Sequence, residues 1–332
     1  MRTQLEDKIY GCLLGGLCGD AMGAPGEGKT YSQILEKFGP DGITDFEGVG
    51  TDDTAIREQL IDAILGNDGY VSCDEFAASF RKFRKANYAQ WWVPVRNMFH
   101  KLDSGVVLPV DAGWGNTPSS SSAMAISPMG ILNARNPRQA ALETFDVAGL
   151  IHSGPSGFCR DAACAMAAAV AQAFDPNASV ADIIESATGY LHPVSAHEIV
   201  RHLGLARELA AGAGDYEQFR AAFYERHLQA EQCDSRETVP VALALFEMAG
   251  GEPEQAIHWG VNFGRDADTI GTMVGGLCGA YRGAGGLPPG WVNKVEANPN
   301  VKYRSIVPEL AALVRLRAKG ATQYAMTIAA LG

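Results

Sequence analysis

The chain has 332 residues, 47% of them hydrophobic and 20% charged, a balance that excludes a disordered, collagenous or disulfide-scaffold protein. Its formal charge of −11 opposes general affinity for nucleic acid or anionic lipid, so neither is expected as a partner. A phosphate-bearing small ligand stays admissible where helix N-termini, local donors or a bound cation hold it.

The first ten residues carry mixed charge. The apolar run behind them, residues 11–23, contains five glycines and Asp20, which suits neither a secretory leader nor a membrane span. Helical spacing of apolar residues predicts helices over 5–23, 52–65, 74–86, 137–150, 157–173, 179–189, 195–210, 215–228, 237–249, 254–262, 269–282, 306–318 and 321–330. No run alternates as a strand does over more than a few residues. Residues 39–50, 104–122 and 283–299 read as long loops, and loops of that length in a helical chain tend to carry function. No linker separates two compositional classes, so the expectation is one all-α domain over residues 1–332. The seven cysteines are odd in number and form no C-x-x-C pair, which points to a reduced, cytoplasmic protein.

Two predicted helices echo each other. Residues 11–24 read GCLLGGLCGDAMGA and residues 271–284 read GTMVGGLCGAYRGA, with eight of fourteen positions identical. Glycine recurs every fourth residue in both, at Gly11, Gly15, Gly19 and Gly23 and at Gly271, Gly275, Gly279 and Gly283. In a helix that spacing bares one face, so a second backbone can approach closely. Each interior glycine costs roughly 0.8–1 kcal/mol relative to alanine, which close packing has to offset. The two glycine faces are therefore expected to pack together at the centre of the fold; two unrelated small-residue helices are the alternative.

Acidic clusters flank these helices. Pro25 and Gly26 end the first helix and place Glu27 on a turn. Thr51-Asp52-Asp53-Thr54 opens one predicted helix, and Asp266-Ala267-Asp268-Thr269 opens another. Either cluster alone is explained by helix capping, which favours Asp and Thr at N-termini. A cap needs one side chain, however, and both clusters spend two aspartates and a threonine. Carboxylates gathered this way repel unless a proton or cation intervenes, and oxygen-only ligands suit Mg²⁺, Mn²⁺ or Ca²⁺.

With GCLLGGLCGDAMGAPGE, GTDDT and GRDADTIGTMVGGLCGA in hand, the chain resembles the ADP-ribosylglycohydrolase family from about residue 8 to about residue 291. The resemblance implies an orthogonal multi-helix bundle with two bound Mg²⁺ or Mn²⁺ ions. It assigns Thr51, Asp52 and Asp53 as ligands from one side, Asp266, Asp268 and Thr269 from the other, and Glu27 as the glutamate implicated in catalysis. It also matches Gly149 to Ser153 to a segment whose histidine, here His152, lies near bound ADP-ribose; a hydrogen-bonded core histidine is the alternative.

The loop containing Asn116, Thr117, Ser120, Ser121 and Ser122 sits where relatives carry Asn-Gly-x-Ala-Met-Arg. Here Ser120 and Ser121 replace Asn-Gly and Ala125 replaces the Arg. Hydroxyls and backbone N–H groups at a helix start can still hold a phosphate. Tyr88, Trp91, Trp92 and Trp114 could stack on a base, and the Trp91-Trp92 pair also reads as packing.

The implied activity is metal-dependent hydrolysis of the bond between ADP-ribose and an acceptor, such as a protein arginine. The serine loop keeps open a smaller N-ribosyl substrate. A non-catalytic relative and a phosphohydrolase are the remaining alternatives.

Overall fold

The computed structural model describes residues 2–48 and 50–331; Met1, Gly332 and Val49 of the predicted 39–50 loop lie outside the described residues. Sixteen α-helices follow in order: α1 (Gln4–Gly23), α2 (Tyr31–Phe38), α3 (Asp52–Gly66), α4 (Cys73–Asn87), α5 (Val93–Asp103), α6 (Ser127–Leu132), α7 (Pro137–Gly149), α8 (Gly157–Ala173), α9 (Val180–Gly189), α10 (His197–Gly212), α11 (Tyr216–Arg226), α12 (Ser235–Met248), α13 (Pro253–Phe263), α14 (Ala267–Arg282), α15 (Pro289–Glu296) and α16 (Tyr303–Ala329). Among the described residues β pairing is limited to two isolated bridges, Thr30 with Gly264 and Trp114 with Ser153. The architecture is the expected all-α bundle, and no described helix is long and apolar enough to cross a membrane.

Every predicted helix is present, with ends displaced by a few residues. The segments 306–318 and 321–330 are one helix, α16, because Gly320 sits in open space and costs only about 1 kcal/mol inside a helix. Periodicity misses α2, α5, α6 and α15. The start of α2 is set by a polar capping box between Thr30 and Gln33. The other three open on a proline in the first turn, Pro94, Pro128 and Pro289, where the missing N–H is harmless. The predicted 283–299 loop therefore contains α15 and, before it, a 3₁₀ turn over Ala284–Gly286.

At the centre, sixteen consecutive residues of α1, Lys8 to Gly23, are buried, as are residues 267–280 of α14. A Cβ built on Gly11 would stand 2.4 Å from the Gly279 carbonyl oxygen, one on Gly15 2.2 Å from that of Gly275, and one on Gly19 2.0 Å from that of Gly271. Gly23 faces Ala267 in the same way, at 2.4 Å. Contacts that rise by four along α1 fall by four along α14, so the helices are antiparallel with backbones touching. Gly283 departs from the pattern: it ends α14 in the left-handed region (φ 75°) beside Asp7. Lys8 secures the far end of the pair. Its ammonium donates to the carbonyls of Ala173, Ala280 and Tyr281, at the C-termini of α8 and α14.

The antiparallel register brings the C-terminal end of α1 to the N-terminal end of α14. Asp20, fully buried in the last turn of α1, adds α3: its carboxylate accepts from the Thr51 N–H (2.9 Å), the Thr51 hydroxyl (2.8 Å), the Thr54 N–H (2.9 Å) and the Thr54 hydroxyl. Three helix ends therefore converge on one point.

Gly275→Ala drives a methyl into a backbone that cannot retreat. It is expected to destabilise the fold by about 1–3 kcal/mol or more, read as a lowered Tm. Gly204→Ala, on an exposed turn of α10 with nothing within 4 Å, should instead stabilise by up to about 1 kcal/mol. Equal effects of the two substitutions would contradict the packing described here.

Candidate active site

Beyond α1 the chain makes one 3₁₀ turn, Ala24–Gly26, with Pro25 in its first turn, and Glu27 emerges exposed. The segment after it is laced to the approach to α14: the Gly28 N–H donates to the Arg265 carbonyl (2.8 Å) and the Arg265 N–H to the Lys29 carbonyl (2.6 Å). Arg265 holds a left-handed conformation at φ 62°, which costs a side-chain-bearing residue on the order of 1–3 kcal/mol. Its guanidinium meets the fully buried Glu237 through two hydrogen bonds, at 2.8 and 3.1 Å, and the Gln229 carbonyl at 2.6 Å. That fork fixes the turn from which Asp266 and Asp268 project.

The predicted ligands from both sides are brought together. Asp20, Asp53 and Asp268 each place a carboxylate oxygen within 4.8 Å of the others, and so do Glu27, Asp266 and Asp268. The Thr51 hydroxyl lies 3.3 Å from Asp268 and 3.4 Å from Asp53, and the Thr269 hydroxyl 3.4 Å from Asp53. Asp53 Oδ1 and Asp266 Oδ2 are buried without any hydrogen-bond partner. Burial and the surrounding like charges hold the Asp53, Asp266 and Asp268 carboxyls well above the usual carboxylate range. Burial and then the charge of Asp20 push Asp52 up to about 7.

Two carboxylates 4 Å apart repel by roughly 4 kcal/mol at an effective dielectric near 20, so the cluster is adapted to a compensating positive charge. Its donors are all oxygen, and two buried oxygens have no protein partner. That combination fits hard divalent cations and not zinc.

Asp20 was not singled out by sequence reasoning as a site residue. Its signal was a carboxylate inside an otherwise apolar, buried helix, which needs partners to be tolerated. Its Thr51 and Thr54 contacts supply them, with the fully buried Arg57 guanidinium bonded to Thr54 beyond.

Glu27, Thr51, Asp52, Asp53, Asp266, Asp268 and Thr269 line a cavity of about 370 Å³, with Asp20 behind them. Gly50, Gln90, Trp92, Ser120, Ser121, Met124, Gln232 and Cys233 complete its walls, and among the described residues no lysine, arginine or histidine lines it. Burial pushes the Cys233 thiol up to about 12, so it is no thiolate nucleophile at neutral pH. Ser120 and Ser121 reach the wall, although the Ser120 hydroxyl already bonds to the Cys233 carbonyl and Thr238.

Asn116, Thr117, Ser122 and His152 do not line the cavity; they brace the loop from behind. Asn116 donates to the carbonyls of Pro94 and Ile151. His152 is fully buried, with Nδ1 2.8 Å from the Ser122 hydroxyl and Nε2 3.2 Å from both the Ser119 hydroxyl and the Thr117 carbonyl. Of the aromatic residues, Trp92 stands at the cavity. Trp91 is buried against Phe80, Tyr88 and Phe99, and Trp114 covers Gly154.

A sequence model described as ADP-ribosylglycohydrolase matches residues 1–324. The protein YegU of Escherichia coli K12 is 25% identical over 336 residues, spanning 92% of this chain and 96% of its own. The ADP-ribosylhydrolase ARH3 of Gallus gallus is 24% identical over 338 residues, spanning 87% of this chain and 89% of its own. A solved ADP-ribosylglycohydrolase-related protein complex superposes with a TM-score of 0.67 at 22% identity, covering 94% of this chain and 98% of that one, and shares the fold.

Two outcomes follow from this geometry. Mg²⁺ or Mn²⁺ should raise Tm, by the equivalent of about 2.7 kcal/mol at a hundredfold excess over Kd, and Asp268→Asn should abolish most of the gain. Burial pushes His152 down to about 4, below its unfolded value near 6.5. A depressed histidine stabilises nothing above pH 6.5 and costs stability as pH falls toward 4, by up to about 3 kcal/mol. Denaturant melts across that window should be flatter for His152→Gln than for the parent chain.

Proposed function

The chain belongs to the ADP-ribosylglycohydrolase family, and we propose that it hydrolyses the glycosidic bond between ADP-ribose and an acceptor such as a protein arginine. The convergence of five carboxylates from three chain segments on one cavity, with Glu27 alone of them exposed and Asp20 buried behind them, carries the proposal.

Thr51, Asp52, Asp53, Asp266, Asp268 and Thr269 would hold two Mg²⁺ or Mn²⁺ ions, and the unpartnered oxygens of Asp53 and Asp266 support that number of binding groups. Bound there, the ions supply polarisation of ribose hydroxyls and of water. Glycoside cleavage passes through an oxocarbenium-like state that needs a proton taken from water and a leaving group assisted. Glu27 serves this proton transfer: it sits on a turn pinned to Arg265, faces the cavity and stays accessible to solvent. Asp20 holds Thr51 and the start of α3 in place. Ser120 and Ser121 offer the wall against which the diphosphate lies, with His152, Ser122, Asn116 and Thr117 keeping that wall rigid. The seven free cysteines support a reducing, cytoplasmic setting, and residues 1–332 act as one domain.

A smaller N-ribosyl substrate is the second reading. It is favoured by the absence of any cationic side chain from the cavity wall, where a diphosphate would gain most from one. Incubation with Mn²⁺ and either ADP-ribosyl-arginine or a panel of nucleosides separates the two. Free ADP-ribose is the expected product, free base selects the second reading, AMP with phosphoribosyl-arginine indicates a phosphohydrolase acting on the diphosphate, and no turnover removes the enzymatic proposal. Glu27→Gln should lower kcat about 10²–10⁴-fold while the Mn²⁺-dependent rise in Tm persists.

A further inference from the structure

A second cavity, of about 380 Å³, lies between α7, α8 and the turn leading into α10, and shares no lining residue with the acidic one. Its walls are mostly apolar, with Ala141, Leu142 and Phe145 from α7, Cys164 from α8, and Leu191; Tyr190, His192 and Ser195 add polar groups. Leu142 and Phe145 are 58% and 38% exposed, unusual for side chains that could have closed over one another. Asp161, one turn before Cys164 on α8, also lines the cavity and is 2% exposed.

Among the described residues Asp161 has no side-chain hydrogen bond and no ion pair within 4 Å, and the charges of Arg160 and His192 act on it only from farther off. Its neighbour Arg160 stacks its guanidinium 3.5 Å above the Phe145 ring instead, and His192 at the rim engages the Val194 N–H. Burial pushes the Asp161 carboxyl up to about 6, so at pH 7.5 it is still charged. Its carboxylate oxygens are not sealed in protein as those of Asp53 and Asp266 are; they open onto the cavity with no donor opposite them. A carboxylate at the end of an apolar pocket of ligand size has one complement, a cation carried on an apolar body.

We propose that this cavity binds a small organic monocation, an ammonium or guanidinium bearing a hydrophobic group, with the charge on Asp161 and the apolar part against Leu142, Phe145 and Leu191. The ammonium would donate a charge-assisted hydrogen bond to the carboxylate, and the chain's −11 charge would raise the local concentration of any such cation.

The test uses the full chain and three probes of one shape: phenethylammonium, the neutral 2-phenylethanol and the anionic 3-phenylpropionate, titrated calorimetrically at pH 7.5. The cation should bind at least about tenfold more tightly than the alcohol, with no detectable binding of the anion. Asp161→Asn should reduce cation affinity to that of the alcohol, and Asp268→Asn should leave it unchanged, which separates this site from the acidic cavity. Should Asp161→Asn not fold, Leu142→Trp, which fills the mouth, is expected to abolish binding of cation and alcohol alike. Absence of heat with all three probes at millimolar concentration, equal affinity for cation and alcohol, or cation binding indifferent to Asp161→Asn would each overturn the assignment.

Discussion

Everything at the acidic cavity depends on two helix backbones touching. Glycines four residues apart on α1 and α14 leave nothing between the main chains, and seven or eight such positions forgo helix propensity worth several kcal/mol. The return is positional. Close-packed backbones have little freedom to slide or roll, because a shift by one residue would replace a glycine with Cys12, Leu14 or Val274 at the contact. The last turn of α1 and the first turn of α14 are thereby held at one separation, and their carboxylates with them.

The repulsion created there is the other half of the design. Left uncompensated, Asp20, Asp53, Asp266 and Asp268 would push the helix ends apart, and the fold resists at several points. Asp20 is neutralised in effect by four hydrogen bonds from Thr51 and Thr54. The turn before Asp266 is fastened by the Arg265–Glu237 fork, and the Glu27 segment by two backbone hydrogen bonds. What these restraints leave over, two buried carboxylate oxygens without partners, is the capacity a divalent cation would use.

Much of this was legible in the residues. The glycine period and the internal echo anticipated the helix pair, and the doubled aspartates at two helix starts marked the convergence point, because both are local patterns with a physical cost that something had to offset. Asp20 escaped because its partners lie some thirty residues away and its own neighbourhood reads as core. The serine loop was harder still. Its residues divide between cavity wall and buried brace according to how the chain folds back on His152, and no spacing in the sequence encodes that division. The proline-led helices α5, α6 and α15 escaped for a simpler reason: proline marks a boundary without saying on which side the helix lies.

The separation of 252 positions between Gly19 and Gly271 carries a consequence for biosynthesis. At translation rates of roughly 5–20 residues per second, α1 leaves the ribosome on the order of ten to fifty seconds before α14 is made. During that interval its bare glycine stripe and buried-type leucines have no mate, and any other small-faced helix could occupy the groove. The acidic cavity cannot be assembled in a nascent chain until α14 is made, and α1 waits with its glycine face unpaired.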